Sequence, residues 1–280
     1  MTAPARFSRR HRVTPADPPG IAELLATLTG LSKGVVKDAM RKGAVWVGRG
    51  GRAPNRSRRE TSTVRPGDVL EIHYDAALLA LRPQGATLVR DAVRWSAWSK
   101  PAGLLTQGTE FGDHASLLRQ VEKALSRDAF PVHRLDREVS GLVLVAHDAG
   151  AAAALSALLR EGKVVKRYRA EVSGDVAAAR GETDVIDAPI EGKAAQTSFR
   201  VVARDAERDT TTLEVTIETG RHHQIRRHLE GIGHPVLGDP RYGAGNKNRD
   251  GMRLAAVFLA FRDPFTGEAV ELRLPEETGP

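Results

Sequence analysis

Apolar positions along this chain follow two rhythms. Ile21, Leu24, Leu25 and Leu28 recur at helical spacing, as do Val35, Val36 and Met40 after Ser32, a residue type suited to an N-cap. Gly43–Gly48 then reads as a turn into a short strand. Val69–His73 reads as a second strand, introduced by the turn Arg65-Pro66-Gly67-Asp68. Further on, strands are expected at Val93–Ser99, Leu142–Ala146, Tyr168–Val172 and Ser198–Ala203. Thr212–Glu218 alternates strictly, the pattern of a half-buried strand. Between them lie an amphipathic helix near Ala115–Leu125, an Ala-rich helix near Gly150–Arg160, and a helix over His222–Ile232 with Ile225 and Leu229 on one face. This mixture predicts an α+β protein: a mixed, mainly antiparallel sheet with flanking helices, preceded by a small α/β domain. The expected divisions are a disordered basic tail over 1–17, a small domain over 18–75, a linker over 76–90 and a large domain over 91–276. There is no internal repeat and no low-complexity block.

Composition narrows the setting. The chain has 280 residues, 41% hydrophobic and 28% charged, as in ordinary globular proteins. No apolar run approaches the roughly 20 residues that span a bilayer. The first ten residues lack the apolar core of a secretory signal. Without cysteine there are no disulfides and no thiolate-held metal, and the cytoplasm is the expected compartment. The net charge of +7 is unevenly placed: residues 1–90 carry 16 Lys/Arg against 7 Asp/Glu, so the first third holds all the excess. Such asymmetry suggests a polyanion-binding element joined to a nearly neutral domain, with nucleic acid as the leading polyanion.

The chemistry concentrates in Val132-His133-Arg134-Leu135-Asp136-Arg137-Glu138-Val139-Ser140-Gly141, followed by the apolar run Leu142-Val143-Leu144-Val145. A carboxylate flanked by two arginines beside a strand is either a structural ion pair or a group kept ionised for chemistry. His133-Arg134-Leu135-Asp136-Arg137 with Ser140-Gly141-Leu142 resembles the signature of RluA-type RNA pseudouridine synthases. Further segments resemble that family in order: Lys100-Pro101-Ala102-Gly103, Lys166-Arg167-Tyr168-Arg169-Ala170, Lys193-Ala194 through Phe199, Thr219-Gly220-Arg221-His222-His223-Gln224-Ile225-Arg226, and His234-Pro235 through Tyr242-Gly243. The small domain resembles the S4-like RNA-binding module, although Gly48-Arg49-Gly50-Gly51 replaces its usual turn.

The resemblance implies an isomerase that converts a uridine in structured RNA to pseudouridine without a cofactor. Asp136 would be the essential carboxylate, either attacking C1′ or removing a sugar proton. Arg221 would pair with it, and Tyr168 would meet the uracil. A flipped uridine leaves a gap in the RNA stack, which Arg134 would fill or whose phosphates it would contact. Arg137, Gln224 and Ile225 complete the expected substrate-binding set, with bracing or core packing the plainer roles for the last two. Lys33, Lys37, Arg41 and Lys42 on the second helix would anchor RNA.

Two other chemistries fail. His222, His223 and His228 lack metal-site spacing, and a glycosidase would need a second opposed carboxylate. The competing class is a non-catalytic RNA-binding or ribosome-assembly protein that keeps the fold. Val139, His222 and Ala255, which depart from the family pattern, leave room for it. Ribosomal RNA is favoured over transfer RNA as partner, no membrane is involved, and a monomer is the default.

Overall fold

The computed structural model describes residues 5–244 and 250–275. The chain divides into two compact units, one of residues 1–83 with 107–125, the other of 84–106 with 126–280. Among the described residues no helix is long and apolar enough to cross a membrane.

In the first unit, β1 (Arg6–Arg12) precedes α1 (Ile21–Thr29), α2 (Lys33–Arg41), β2 (Val45–Gly48), β3 (Asn55–Arg56), β4 (Val69–Asp75) and α3 (Ala76–Ala80). A later segment supplies α4 (Leu117–Leu125). The antiparallel sheet has the order β1-β4-β2-β3. Ile21, Leu24, Leu25, Val36 and Met40 pack with Leu70 and Ile72 into one core, so the helical apolar stripes face the sheet as their spacing requires. Ser32 caps α2, its hydroxyl accepting from the Val35 N–H. The structure corrects the expected disordered tail. Residues 1–4 lie outside the described ones, but Arg6–Arg12 is a strand paired with β4 from Arg6↔Asp75 to Arg12↔Val69. Backbone pairing and the Arg6–Asp75 and Arg10–Glu71 ion pairs hold it there despite its polar sequence. The linker is corrected too: 76–90 contains α3 and most of the next strand. The expected boundary at 91 likewise shifts, since 107–125 belongs to the first unit.

The second unit is built on a ten-stranded sheet. Its elements are β5 (Thr87–Asp91), β6 (Trp95–Lys100), β7 (Phe130–Pro131), β8 (Ser140–Ala146), α5 (Ala149–Arg160), β9 (Val165–Ser173), α6 (Val176–Arg180) and β10 (Thr183–Asp187). They continue with β11 (Gln196–Asp205), β12 (Thr210–Ile217), α7 (Gln224–Gly231), β13 (Leu254–Arg262) and β14 (Ala269–Arg273). The order is β10-β11-β12-β9-β13-β8-β6-β5, with β14 on β13 and β7 on β8. Among the described residues only the β8–β13 pair is parallel, so the sheet is mixed and mainly antiparallel. Trp95, Leu142, Leu144, Leu155, Leu259 and Phe261 form a core under α5.

Gly141 makes the parallel pair possible. Its φ is +119°, and a Cβ there would lie 2.3 Å from the Ala256 carbonyl oxygen and 2.5 Å from the Ala256 nitrogen. Only glycine lets β13 lie this close to β8, directly after the loop that carries Asp136.

Candidate active site

Asp136 sits on the loop between β7 and β8, and the residues around it are fastened to the sheet. The Thr106 hydroxyl donates to the Leu135 carbonyl at 2.8 Å and accepts from the Leu135 N–H at 3.1 Å. The Arg137 carbonyl accepts from the Gly103 N–H at 2.7 Å and from Lys100 Nζ at 3.3 Å. Leu135 and Val139 are buried on either side. Lys100 is fully buried and also donates to the Pro101 and Leu104 carbonyls, and burial lowers its pKa to about 8 against the charges of Glu138 and Asp136. The loop therefore presents the Asp136 side chain, 20% exposed, from a rigid base.

His133 adds a third tie, its Nε2 accepting from the Leu144 N–H at 3.0 Å, which requires a neutral ring. Burial, reinforced by the Lys166 charge, pushes its pKa down to about 4. An unfolded histidine near 6.5 binds a proton that the folded one refuses. The resulting stability is complete above pH 6.5 and is lost as pH falls toward 4, reaching about 2–3 kcal/mol by pH 4.5. His133→Gln keeps an acceptor and removes the titration. Unfolding at pH 7.5 and pH 4.5 should show the variant losing about 2–3 kcal/mol less than the parent on acidification. Equal losses would rule out this role.

The cation on Asp136 is Arg226. Its Nη1 donates to Asp136 Oδ2 at 2.8 Å, while Nε and Nη2 grip Asp239 at 2.6 and 2.8 Å. Burial works against the Arg226 charge, but the hydrogen bonds and charges of Asp239 and Asp136 outweigh it and raise its pKa. Asp239 is fully buried; burial would raise its pKa, yet Arg226 and the backbone N–H groups of Arg241 and Tyr242 hold it below the usual carboxylate range. One guanidinium thus bridges a buried carboxylate and the half-buried Asp136.

This corrects the pairing expected of Arg221. The helix begins at Gln224, not His222, because His223 takes a left-handed conformation (φ +55°). Arg221 is left ahead of the helix, exposed, with Nε donating to the Ala194 carbonyl at 3.0 Å. Arg226 falls in the first turn and reaches Asp136, and Arg227 points to Glu191 at 2.8 Å. His223 also joins the site: its Nε2 lies 3.4 Å from Asp136 Oδ2, its Nδ1 3.1 Å from the Tyr242 hydroxyl, and its ring stacks on His222. Burial lowers the His223 pKa, opposed by the Asp136 charge.

Tyr168 is buried on β9, opposite Val215 of β12 and Ala256 of β13. Burial and the nearby Asp136 charge push its phenol up to about 12. Gln224 is buried and braces the start of α7. Its Oε1 accepts from the Thr219 hydroxyl and the Arg221 N–H, and its Nε2 donates to the Gln196 carbonyl and the Thr197 hydroxyl. Ile225 is buried in α7. Arg134 and Arg137 are exposed beside Asp136, Arg137 with Nε 3.2 Å from Glu138.

Of the four expected anchoring cations, Lys42 is corrected outright: only 13% exposed, it donates to Asp38 and to the Leu79 carbonyl and so holds the fold together. Lys33, Lys37 and Arg41 are accessible but ion-paired to Glu23, Glu60 and Asp38. Among the described residues no group of three His, Asp or Glu side chains is placed to hold a metal.

The residues that sequence reasoning missed are Arg226, Asp239, His223, Thr106 and Lys100. Arg226, Asp239, His223 and Lys100 lie within the segments that resemble the family, so the signal existed without the pairing. Together these groups make a rigid, partly open carboxylate with one oxygen engaged, a neutral phenol nearby and exposed arginines at the rim. Such a site can attack or deprotonate a sugar and hold a flat base.

Residues 94–231 match the family profile described as RNA pseudouridylate synthase. An uncharacterized RNA pseudouridine synthase of Chloroflexus aurantiacus is 31% identical, with 90% of this chain and 84% of that protein covered. The ribosomal large subunit pseudouridine synthase D of Nitrosomonas europaea is 35% identical over 64% of this chain and 51% of its own length. The chain likewise spans about half the length of several other curated relatives it matches. The structure of human RNA pseudouridylate synthase domain containing 1 superposes with a TM-score of 0.60 at 24% identity, covering 71% of this chain and 88% of that one, a likeness of fold. The match to the Chloroflexus protein runs through both units and nearly from end to end, and on that ground this chain belongs to the RNA pseudouridine synthase family.

Proposed function

We propose that this protein isomerises a specific uridine of structured RNA to pseudouridine, with Asp136 as the essential carboxylate and ribosomal RNA as the substrate. The observation that carries this reading is the bridge Asp239–Arg226–Asp136. Arg226 and His223 both face Asp136 Oδ2, and among the described residues no hydrogen-bond partner occupies Oδ1. One oxygen is thus held while the other is free for the sugar. Uridine and pseudouridine contain the same atoms. The N1–C1′ bond breaks, C5 bonds to C1′, and the C5 proton leaves as N1 gains one, so no co-substrate or cofactor is needed. Asp136 attacks C1′ or takes a sugar proton, and both steps use a carboxylate fixed in place. Tyr168, protonated at neutral pH, offers the uracil a flat face and a hydroxyl donor rather than a phenolate base.

Arg134 takes the place of the flipped base, offsetting an unstacking cost of a few kcal/mol, and Arg137 adds charge at the same rim. The first unit acts as an S4-like RNA anchor. Ribosomal RNA is favoured by the basic first third and by the name of the Nitrosomonas relative. The cysteine-free composition fits a cytoplasmic enzyme, and a monomer suffices for every residue of the site. The test is a pseudouridine map of total RNA from cells with and without this protein. Loss of one site, in ribosomal RNA, is the expected result. A map that loses no site would favour the non-catalytic RNA-binding reading, and a lost transfer RNA site would reject only the choice of substrate.

A further inference from the structure

The cations expected to anchor RNA are neutralised within the fold. Glu23 takes Lys33 at 2.8 Å, Glu60 takes Lys37 at 3.7 Å, and Asp38 and Glu60 take Arg41 and Lys42. Three carboxylates against four cations leave α2 with little field for a polyanion. Part of the excess positive charge of the first unit emerges at the connection between β2 and β3 and the segment after β3. There a groove of about 470 Å³ is lined by Arg49, Arg52, Asn55, Arg56, Arg58 and Arg59.

Its five arginines form two tiers. Arg56 and Arg58 are half-buried against Asp113, and Arg56 also lies over the Trp46 ring at 4.2 Å. Arg49, Arg52 and Arg59 are exposed, and among the described residues no carboxylate lies within ion-pair distance of them. The turn between β2 and β3 fixes two of these. Arg52 N–H donates to the Arg49 carbonyl at 3.0 Å across Gly50 (φ +56°) and Gly51 (φ +75°), the two left-handed positions of a type I′ turn. Side chains other than glycine are strained there, and nothing lies within 4 Å of where either Cβ would be. The turn therefore holds Arg49 and Arg52 at one edge with bare backbone between them, open to a bulky anion. Arg49 spends one N–H on the Thr63 carbonyl at 3.2 Å, which orients its guanidinium and leaves the rest of the fork.

We propose that this arginine groove, and not α2, is the RNA-phosphate site of the first unit, with Arg49, Arg52 and Arg59 the contacting residues. The proposal rests on the reading of the chain as an RNA-modifying enzyme. Guanidinium forks match phosphate oxygens, and unpaired ones lose no internal ion pair on binding. Each phosphate neutralised releases counterions, so log K falls with log salt by roughly 0.7–0.9 per contact.

The experiment measures binding of the full chain to a mixed-sequence hairpin RNA across a salt series. Arg49→Gln/Arg52→Gln/Arg59→Gln is compared with Lys33→Gln/Lys37→Gln, and both are checked for parental thermal unfolding. The groove variant should lose about 2–3 units of salt slope and bind on the order of 10–100-fold more weakly near 0.1 M salt, while the α2 variant keeps the parental slope. Arg→Lys at the same three groove positions should restore most of the slope. A groove variant with an unchanged slope, or an equal or larger loss in the α2 variant, overturns the proposal. Pseudouridine formation by the parent protein is scored separately. Groove-dependent binding without any pseudouridine would reject the enzymatic reading and leave the groove standing.

Discussion

Asp136→Asn is expected to fold like the parent, bind RNA like the parent and form no pseudouridine. Asparagine keeps the shape and one oxygen to accept from Arg226 Nη1, now 2.8 Å from Asp136 Oδ2. Arg226 stays charge-compensated through its paired bonds to Asp239, so the substitution leaves no buried charge alone. An ion-paired hydrogen bond becomes one in which only the Arg226 donor is charged, at a side chain that is already 20% exposed, a change of about 1 kcal/mol. The chemistry is another matter. An amide is neither a nucleophile toward C1′ nor a base toward a sugar proton, and loss of such a group costs at least about 10²–10⁴-fold in rate. Release of tritium from RNA labelled at uracil C5 measures turnover directly, and a parallel binding titration shows whether the substrate still docks. Turnover within tenfold of the parent would sink the role given to Asp136. Weak binding with residual turnover in proportion would recast it as an RNA contact.

The parts of the fold that were legible in the sequence are those whose environment is local. β12 alternates because one face is buried, and α5 is helical by composition as well as by position. β13 escaped notice because Leu254–Phe261 lies in mid-sheet between β8 and β9 and is apolar almost throughout, so it carries no clean period-two signal. β1 escaped for the opposite reason: five of its seven residues are exposed, and its strand conformation comes from pairing with residues more than 55 positions away. At the site the motif named the right segment and the wrong arginine. Arg221, Arg226 and Arg227 are alike in type and close in sequence. Which one reaches Asp136 depends on where α7 starts, and the left-handed His223 delays that start by two residues. Asp239 was beyond reach, because its partner is decided by tertiary packing 13 positions away.

That packing makes Arg226 the position where stability and activity separate most clearly. Its guanidinium is only 3% exposed and serves two carboxylates at once, three donors to three oxygens. Arg226→Met would leave Asp239 fully buried and without its counter-charge, a defect worth about 3–5 kcal/mol. For a domain of this size each kcal/mol corresponds to roughly 2–4 °C in Tm, so unfolding should come about 6–20 °C early. Arg226→Lys keeps the charge, but a single ammonium cannot reproduce a planar fork on Asp239 and still reach Asp136. Unfolding of the lysine variant should shift less, while tritium release falls by about 10²-fold or more because Asp136 is no longer held. The decisive variant is Arg226→Met/Asp239→Asn, which removes the buried charge together with its partner. It should recover most of the lost Tm and none of the lost turnover, a coupling that a double-mutant cycle reads as non-additive in stability alone. Equal stability of parent and Arg226→Met, or no recovery in the double variant, would show that Asp239 and Arg226 do not act as a pair. Full turnover by Arg226→Lys would show that Asp136 needs a nearby positive charge but not the geometry that delivers it.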